Sequence, residues 1–214
     1  MAMAINPTPE LLEHLYWITL FAVIVSSASA VLKAGFKQFD LFGIIIIIAI
    51  ATGLGGGTLR DMLLDRTVFW IHDQMFFIAS ISSAIIVFFT ARLTNISQRL
   101  FLIPDAAGLA TFGIVGTLVA LMVGTPWLVA SFMGVMTGIM GGIFRDVLCN
   151  EPPMVFHSPL YATVSWVGSL LFIGLLQLNL DITFAASIAG ISIFIARLLA
   201  LHYQVTLPKF RFKS

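Results

Sequence analysis

The stretch T-G-L-G-G-G-T-L-R-D (52–61) directly follows the apolar run F-G-I-I-I-I-I-A-I-A (42–51), and it comes back in altered form as T-G-I-M-G-G-I-F-R-D (137–146). Glycine costs a helix about 1 kcal/mol relative to alanine, so Gly55, Gly56 and Gly57 together weaken theirs by roughly 3 kcal/mol before packing compensates. An Arg-Asp pair one turn later is equally unexpected after five isoleucines. The copies align without gaps at an offset of 85 residues. Thr52 matches Thr137, Gly53 matches Gly138, Gly56 and Gly57 match Gly141 and Gly142, and Arg60 and Asp61 match Arg145 and Asp146. Six agreeing positions at fixed spacing are far more specific than a lone glycine pair.

Composition names the solvent. Of 214 residues, 59% are hydrophobic and 10% charged, against about 25% charged in soluble domains. Runs of roughly 20 apolar residues cross a bilayer. Seven such spans are predicted, at about 12–32, 41–64, 74–91, 104–123, 127–148, 159–177 and 182–202. Breaks such as K-Q-F-D, R-L-T-N-I-S-Q-R, G-T-P and N-E-P-P combine charge with turn-forming residues. V-S-S-A-S-A (25–30) looks like a signal-peptidase site, but no Lys or Arg precedes the first apolar run, whereas Glu10, Glu13 and His14 do. A secretory signal requires a positive n-region. The first span is therefore expected to be retained, with Ser26, Ser27, Ala28, Ser29 and Ala30 as a close-packing helix face.

Sidedness follows from Lys and Arg. One side holds only Arg60 and Arg66; the other holds Lys33, Lys37, Arg92, Arg99, Arg145, Arg197, Lys209, Arg211 and Lys213. The N-terminus is expected outside and the C-terminus in the cytoplasm, with the chain in the cell's inner (plasma) membrane. The 85-residue unit contains three spans, an odd number, so the second copy enters the membrane from the opposite face. The expected fold is an all-α integral membrane protein forming a single transmembrane domain. Two inverted three-helix repeats, about 12–92 and 103–177, are followed by a seventh helix at about 182–202 and a basic tail, 203–214.

Inverted repeats are a building plan of transport proteins, with the pathway near mid-membrane at the repeat interface. Counted from Leu41, Gly55 lies about 21 Å along its helix, within a hydrocarbon core about 30 Å thick. Both glycine stretches are expected to bend or break their helices there. Carbonyls freed at a break attract cations, while the amide start of the following half-helix favours anions. Thr52, Thr58 and Thr137 add hydroxyl oxygens. Against this stands plain packing, since small residues also let helices approach closely. The Arg-Asp pairs are open to two readings, interfacial ion pairs or mouths of a pathway.

Little else suggests chemistry. The basic residues are too scattered for nucleic acid, and Cys149, the single cysteine, reads as a small buried apolar residue. The four histidines show no metal-ligand spacing, and no cofactor, nucleotide-binding loop or G-x-S-x-G elbow is indicated, so an enzyme is not expected. Asp65, Asp73 and Asp181 read as plain loop charges. The tail K-F-R-F-K (209–213), through Lys209, Arg211 and Lys213, is expected to lie on anionic membrane lipids. Trp17, Trp70, Trp127 and Trp166 mostly flank span ends, as an aromatic belt does.

The paired T-G-x-x-G-G-x-x-R-D stretches, the three-plus-three-plus-one arrangement and the length resemble prokaryotic members of the trimeric intracellular cation channel family. Bacterial sequences of this domain type are also described as glycine transporters. The resemblance implies a homotrimer with one pore per protomer between glycine-kinked second and fifth helices. It implies a potassium-permeable channel for monovalent cations, with sodium a second candidate. Met140 stands where the second copy lacks a third glycine. The rival readings are a secondary carrier for a zwitterion such as glycine and a non-conducting scaffold.

Overall fold

The structure is a computed structural model describing residues 5–37, 39–93, 97, 99–158 and 160–205, the side chains of Leu41 and Phe42 apart. Lys209, Arg211 and Lys213, the expected lipid contacts, lie outside the described residues. The elements in order are α1 (Pro9–Ala34), α2 (Ile46–Leu63), α3 (Phe69–His72), α4 (Gln74–Arg92), α5 (Leu102–Met122), α6 (Trp127–Leu148), α7 (Met154–His157), α8 (Tyr161–Gln177) and α9 (Ile182–Tyr203). Among the described residues there is no strand. Six helices are long and apolar enough to cross a membrane, and α8, with 17 residues, is a shorter apolar helix. The seven long elements follow the seven predicted spans; α3 and α7, one turn each, fall in stretches read as connections.

Local chemistry sets the helix ends. Thr8 accepts the Leu11 N–H at 3.2 Å and Pro9 follows at the first helical position, where proline loses nothing by lacking an N–H. Asp73 and Asp181, expected as plain loop charges, are the N-caps of α4 and α9. Asp73 accepts from Met75 N at 2.8 Å, and Asp181 accepts from Thr183 N and Phe184 N at 2.9 and 3.0 Å. A cap of this kind satisfies amide donors that the helix cannot pair itself.

The architecture is two inverted three-helix units and an added helix. α1, α2 and α4 pack together, as do α5, α6 and α8; the units join through α5 on α1 and α6 on α2, and α9 leans on α8 and α5. α5 is the centre, with 83% of its span buried, whereas α4 and α9 bury only 22% and 28% and present the rest outward. Trp17, Phe21, Ile47, Phe132 and Phe184 are among the exposed apolar side chains, the surface expected where lipid is the solvent. The small-residue face of α1 packs as expected. Ser27 Oγ donates to Ala49 O at 3.1 Å and lies 2.8 Å from Ser80 Oγ.

A full break at the glycines does not occur: every residue of Ile46–Leu63 and of Trp127–Leu148 is α-helical, so neither glycine stretch interrupts its helix. The irregular turn lies elsewhere, as a π-helical turn, Leu41–Ile45, at the entry to α2. The physical reason is that each glycine face is covered by another helix, and that packing offsets the propensity cost of an unbroken helix.

Candidate functional site: the helix crossing and its two charged ends

α2 and α6 touch through their backbones. A methyl group on Gly56 would collide with the carbonyl oxygen of Thr137, and one on Gly141 with the carbonyl oxygen of Thr52. Position 52 meets 141 while 56 meets 137, so the helices run antiparallel and the two contacts are copies of each other. Gly53 is crowded by Ser27 and the Val23 carbonyl of α1; Gly138 is crowded by the Leu109 carbonyl and Gly113 amide of α5. Thr52 and Thr137, both buried, donate their hydroxyls to Ile48 O at 2.6 Å and Met133 O at 2.7 Å. Gly55 leaves room for the Phe144 ring and Gly57 for the Phe69 ring, whereas Gly142 faces the Tyr161 hydroxyl. Thr58 Oγ1 donates to Leu54 O at 2.8 Å and accepts from Trp70 Nε1 at 2.9 Å. An apolar cavity of about 210 Å³ flanks this point between Gly55, Thr58, Trp70 and Phe144.

Each Arg-Asp pair folds on itself in the same way. Arg60 Nε donates to Asp61 Oδ1 at 2.8 Å, and Arg145 Nε to Asp146 Oδ1 at 2.8 Å. The second carboxylate oxygen accepts a backbone N–H eight residues on, from Phe69 at 3.0 Å and from Met154 at 2.7 Å, which fixes the starts of α3 and α7. Asp65 (φ 52°) and Asn150 (φ 54°) turn the chain in the left-handed region at matching places, and Asp and Asn tolerate that region better than most residues. The 85-residue offset read from sequence thus reappears bond by bond.

The surroundings of the pairs are unlike. Arg145 is fully buried and Nη1 donates to Asp105 Oδ1 at 2.5 Å and to Ser29 Oγ at 3.1 Å. Tyr161 donates its hydroxyl to the same Asp105 oxygen at 3.2 Å. Lys33 Nζ lies 2.7 Å from Asp146 Oδ1 and 3.1 Å from Glu151 Oε2, and Lys37 pairs with Glu151 at 2.7 Å. Phe101 lies under both Lys33 and Arg145, at 5.4 and 5.3 Å from its ring centre. Arg197, also fully buried, donates to Ser158 Oγ at 2.7 Å and stands 4.4 Å over the Tyr161 ring. Beside Gly142, between Asp146, Met154 and Tyr161, no water-sized space remains. A cavity of about 340 Å³ lies at this end, walled by Lys33, Lys37, Phe101, Glu151 and His157. Arg60 has only Asp61 as a carboxylate partner, and its Nη1 is buried with no hydrogen-bond acceptor among the described residues.

A family described as glycine transporter matches twice, over residues 16–92 and again over 102–177, one match per three-helix unit. A UPF0126 membrane protein of Vibrio cholerae is 36% identical over 198 residues, covering 92% of this chain and 82% of that one. The inner membrane protein YadS of Escherichia coli K12 is 34% identical over 203 residues, covering 91% and 95%. The trimeric intracellular cation channel orthologue of Rhodobacter sphaeroides superposes with a TM-score of 0.85 at 30% identity, covering 90% of this chain and 99% of that one. The chain belongs to the trimeric intracellular cation channel family. A second structure, described in connection with conductance through these cation channels, gives a TM-score of 0.79 at 26% identity over 92% and 97%. The glycine transporter family is the same domain type under another name.

Of the predicted site residues, Thr52, Gly53, Gly56, Thr137, Gly138 and Gly141 come together at the crossing, Gly55, Gly57 and Thr58 flank it, and Gly142, Arg145 and Asp146 meet at one end with Arg60 and Asp61 at the other. The sequence reading missed Ser29, Lys33, Asp105, Tyr161, Glu151 and Arg197. Two of these left a signal: Asp105 and Arg197 are ionisable residues inside predicted spans, and such residues are functional candidates by default. Lys33 left none, because a lysine at a span end serves equally well as a topology marker.

Proposed function

We propose that the protein is a channel for monovalent cations, chiefly potassium, working as a homotrimer with one pathway in each protomer along the α2–α6 crossing. The observation that carries this reading is the 0.85 TM-score likeness, over nearly the whole chain, to a protein described as a trimeric intracellular cation channel orthologue. The matched crossing at Gly56 and Gly141 supports the placement of the pathway, since a pseudo-two-fold contact at mid-membrane is where inverted-repeat proteins carry their cargo. Cation ligands come from the carboxylates of Asp61 and Asp146 and the oxygens of Thr52, Thr58 and Thr137. The protein sits in the inner membrane with its N-terminus outside, so that Arg60 faces out and Arg145 faces the cytoplasm; the nine-to-two split of Lys and Arg supports this orientation.

The family description favours one rival, a glycine carrier. A carrier of that kind holds a carboxylate on the amide ends of broken half-helices, and α2 and α6 are continuous. Proteoliposomes separate the two. A channel releases trapped potassium at a rate that does not saturate with concentration and takes up no labelled glycine. Saturable glycine uptake without potassium release overturns the channel reading.

A further inference from the structure

The glycine contacts align α1 with α5 at an offset of 86 residues, because Val23 and Ser27 stand to Gly53 as Leu109 and Gly113 stand to Gly138. With α2 on α6 and α4 on α8 at 85, the repeat residues of the Arg145 cluster map onto positions in the other repeat. Asp105 corresponds to Thr19, Ser29 to Val115, Lys33 to Val119 and Tyr161 to Phe76. None of these four counterparts carries a charge, and Glu151 corresponds to Arg66, an exposed cation of the same sign as Arg60. Thr19 donates its hydroxyl to Leu15 O in its own helix at 2.6 Å, and Arg60 Nη1 is left without an acceptor among the described residues.

The consequence concerns gating. Lys33 and Ser29 belong to the first repeat and Arg145, Asp146, Asp105 and Tyr161 to the second, so the Arg145 end is tied across the repeat boundary by charge. At the Arg60 end the polar bonds of the pair among the described residues stay within the first repeat, from Arg60 to Asp61 and from Phe69 N to Asp61. If the repeats exchanged conformations, as alternating access requires, Thr19, Val115, Phe76 and Val119 could not rebuild the lock at the opposite face.

We propose, on the basis of the channel reading above, that the pathway has a single gate at the Arg145 end and that Lys33 is its moving part. In the closed state Lys33 Nζ holds Asp146, which is buried, while already lying 3.1 Å from Glu151, which is half-exposed on the 340 Å³ vestibule. Opening transfers the ammonium from Asp146 to Glu151. The move needs no new partner, since Glu151 is there, and it leaves Asp146 Oδ1 with Arg145 Nε alone, opening one side of that oxygen to the cation. Lys33 is thus a positioning residue acting through Asp146.

The test is single-channel recording of purified full-length protein in planar bilayers, comparing wild type with Lys33→Met, Glu151→Gln and Thr19→Ala. Lys33→Met keeps Asp146 paired with Arg145 and removes the tie, so open probability should rise about tenfold at unchanged unitary conductance. Glu151→Gln removes the carboxylate that draws Lys33 away, so open probability should fall severalfold. This opposite sign is not expected of two substitutions that merely loosen the fold, and the partly exposed Glu151 site makes misfolding of that variant easy to exclude by gel filtration. Thr19→Ala, at the counterpart of Asp105, should leave open probability within about twofold. Unchanged open probability in both Lys33→Met and Glu151→Gln, with wild-type currents present, overturns the gate while leaving the channel. A rise in Thr19→Ala equal to that in Lys33→Met overturns its one-sidedness. Silence of all four well-folded proteins overturns the channel reading and the gate with it.

Discussion

At the Arg60 end one carboxylate, Asp61, answers one buried guanidinium; at the Arg145 end two carboxylates, a serine, a tyrosine and a lysine surround the equivalent group. The inner geometry of the two modules is the same to the bond, down to the backbone amide eight residues on. What differs is everything contributed by α1, α5 and the start of α8. Internal repetition has kept the part of the module that a short segment can build alone. The part that depends on neighbours differs between the repeats, and the two ends are chemically unlike.

The largest expected effect tests the sameness. Gly56→Ala and Gly141→Ala each push a methyl group into a backbone carbonyl that cannot rotate away. Overpacking costs typically 1–3 kcal/mol, and a rigid neighbour puts both at about the upper end. Thermal unfolding in detergent should show two losses of similar size. One large and one negligible loss would mean that the crossing is not symmetric.

The difference between the ends is probed by Asp61→Asn against Asp146→Asn. Removing the sole carboxylate partner of a buried charge costs about 3–5 kcal/mol. Asp61→Asn does this to Arg60, whereas in Asp146→Asn Arg145 keeps Asp105 and Lys33 keeps Glu151. Asp61→Asn should therefore be the more destabilising, by unfolding measured side by side, even though its site has fewer bonds. Equal losses would erase the distinction drawn between the ends.

The smallest effect on stability is at Glu151. Lys37 and, less strongly, Lys33 hold its carboxyl below the usual carboxylate range, against a partial opposing push from desolvation. A carboxyl lowered in the folded state stabilises at neutral pH, and that contribution disappears as pH falls through the lowered value. Because the pair with Lys37 is one-third exposed, its loss in Glu151→Gln should cost about 0.5 kcal/mol or less, read as a barely moved unfolding midpoint.

Much of this was legible before any coordinates. Apolar run length located seven helices, and for α6 the expected 127–148 is the observed Trp127–Leu148. The T-G-x-x-G-G-x-x-R-D pair located both the crossing and its charged ends, because a glycine pattern repeated at fixed spacing marks surfaces that must touch. The glycines make that contact without interrupting either helix. Propensity alone argues for a break at Gly55–Gly57, and tertiary packing of α6 and Phe69 of α3 onto that face keeps the helix continuous. The lock was out of reach for a different reason. Lys33 meets Asp146 across 113 positions of chain and Arg145 meets Asp105 across 40, and no periodicity within a single helix encodes such a meeting.

The central claim, a cation pathway through each protomer, is tested most directly by the reversal potential of the purified protein in a planar bilayer under a potassium chloride gradient. The account predicts discrete unitary currents, infrequent in the wild type because the Arg145 end is tied shut, that reverse near the potassium equilibrium potential. Currents reversing at the chloride potential, or an electrically silent bilayer containing folded protein that takes up glycine, would contradict it.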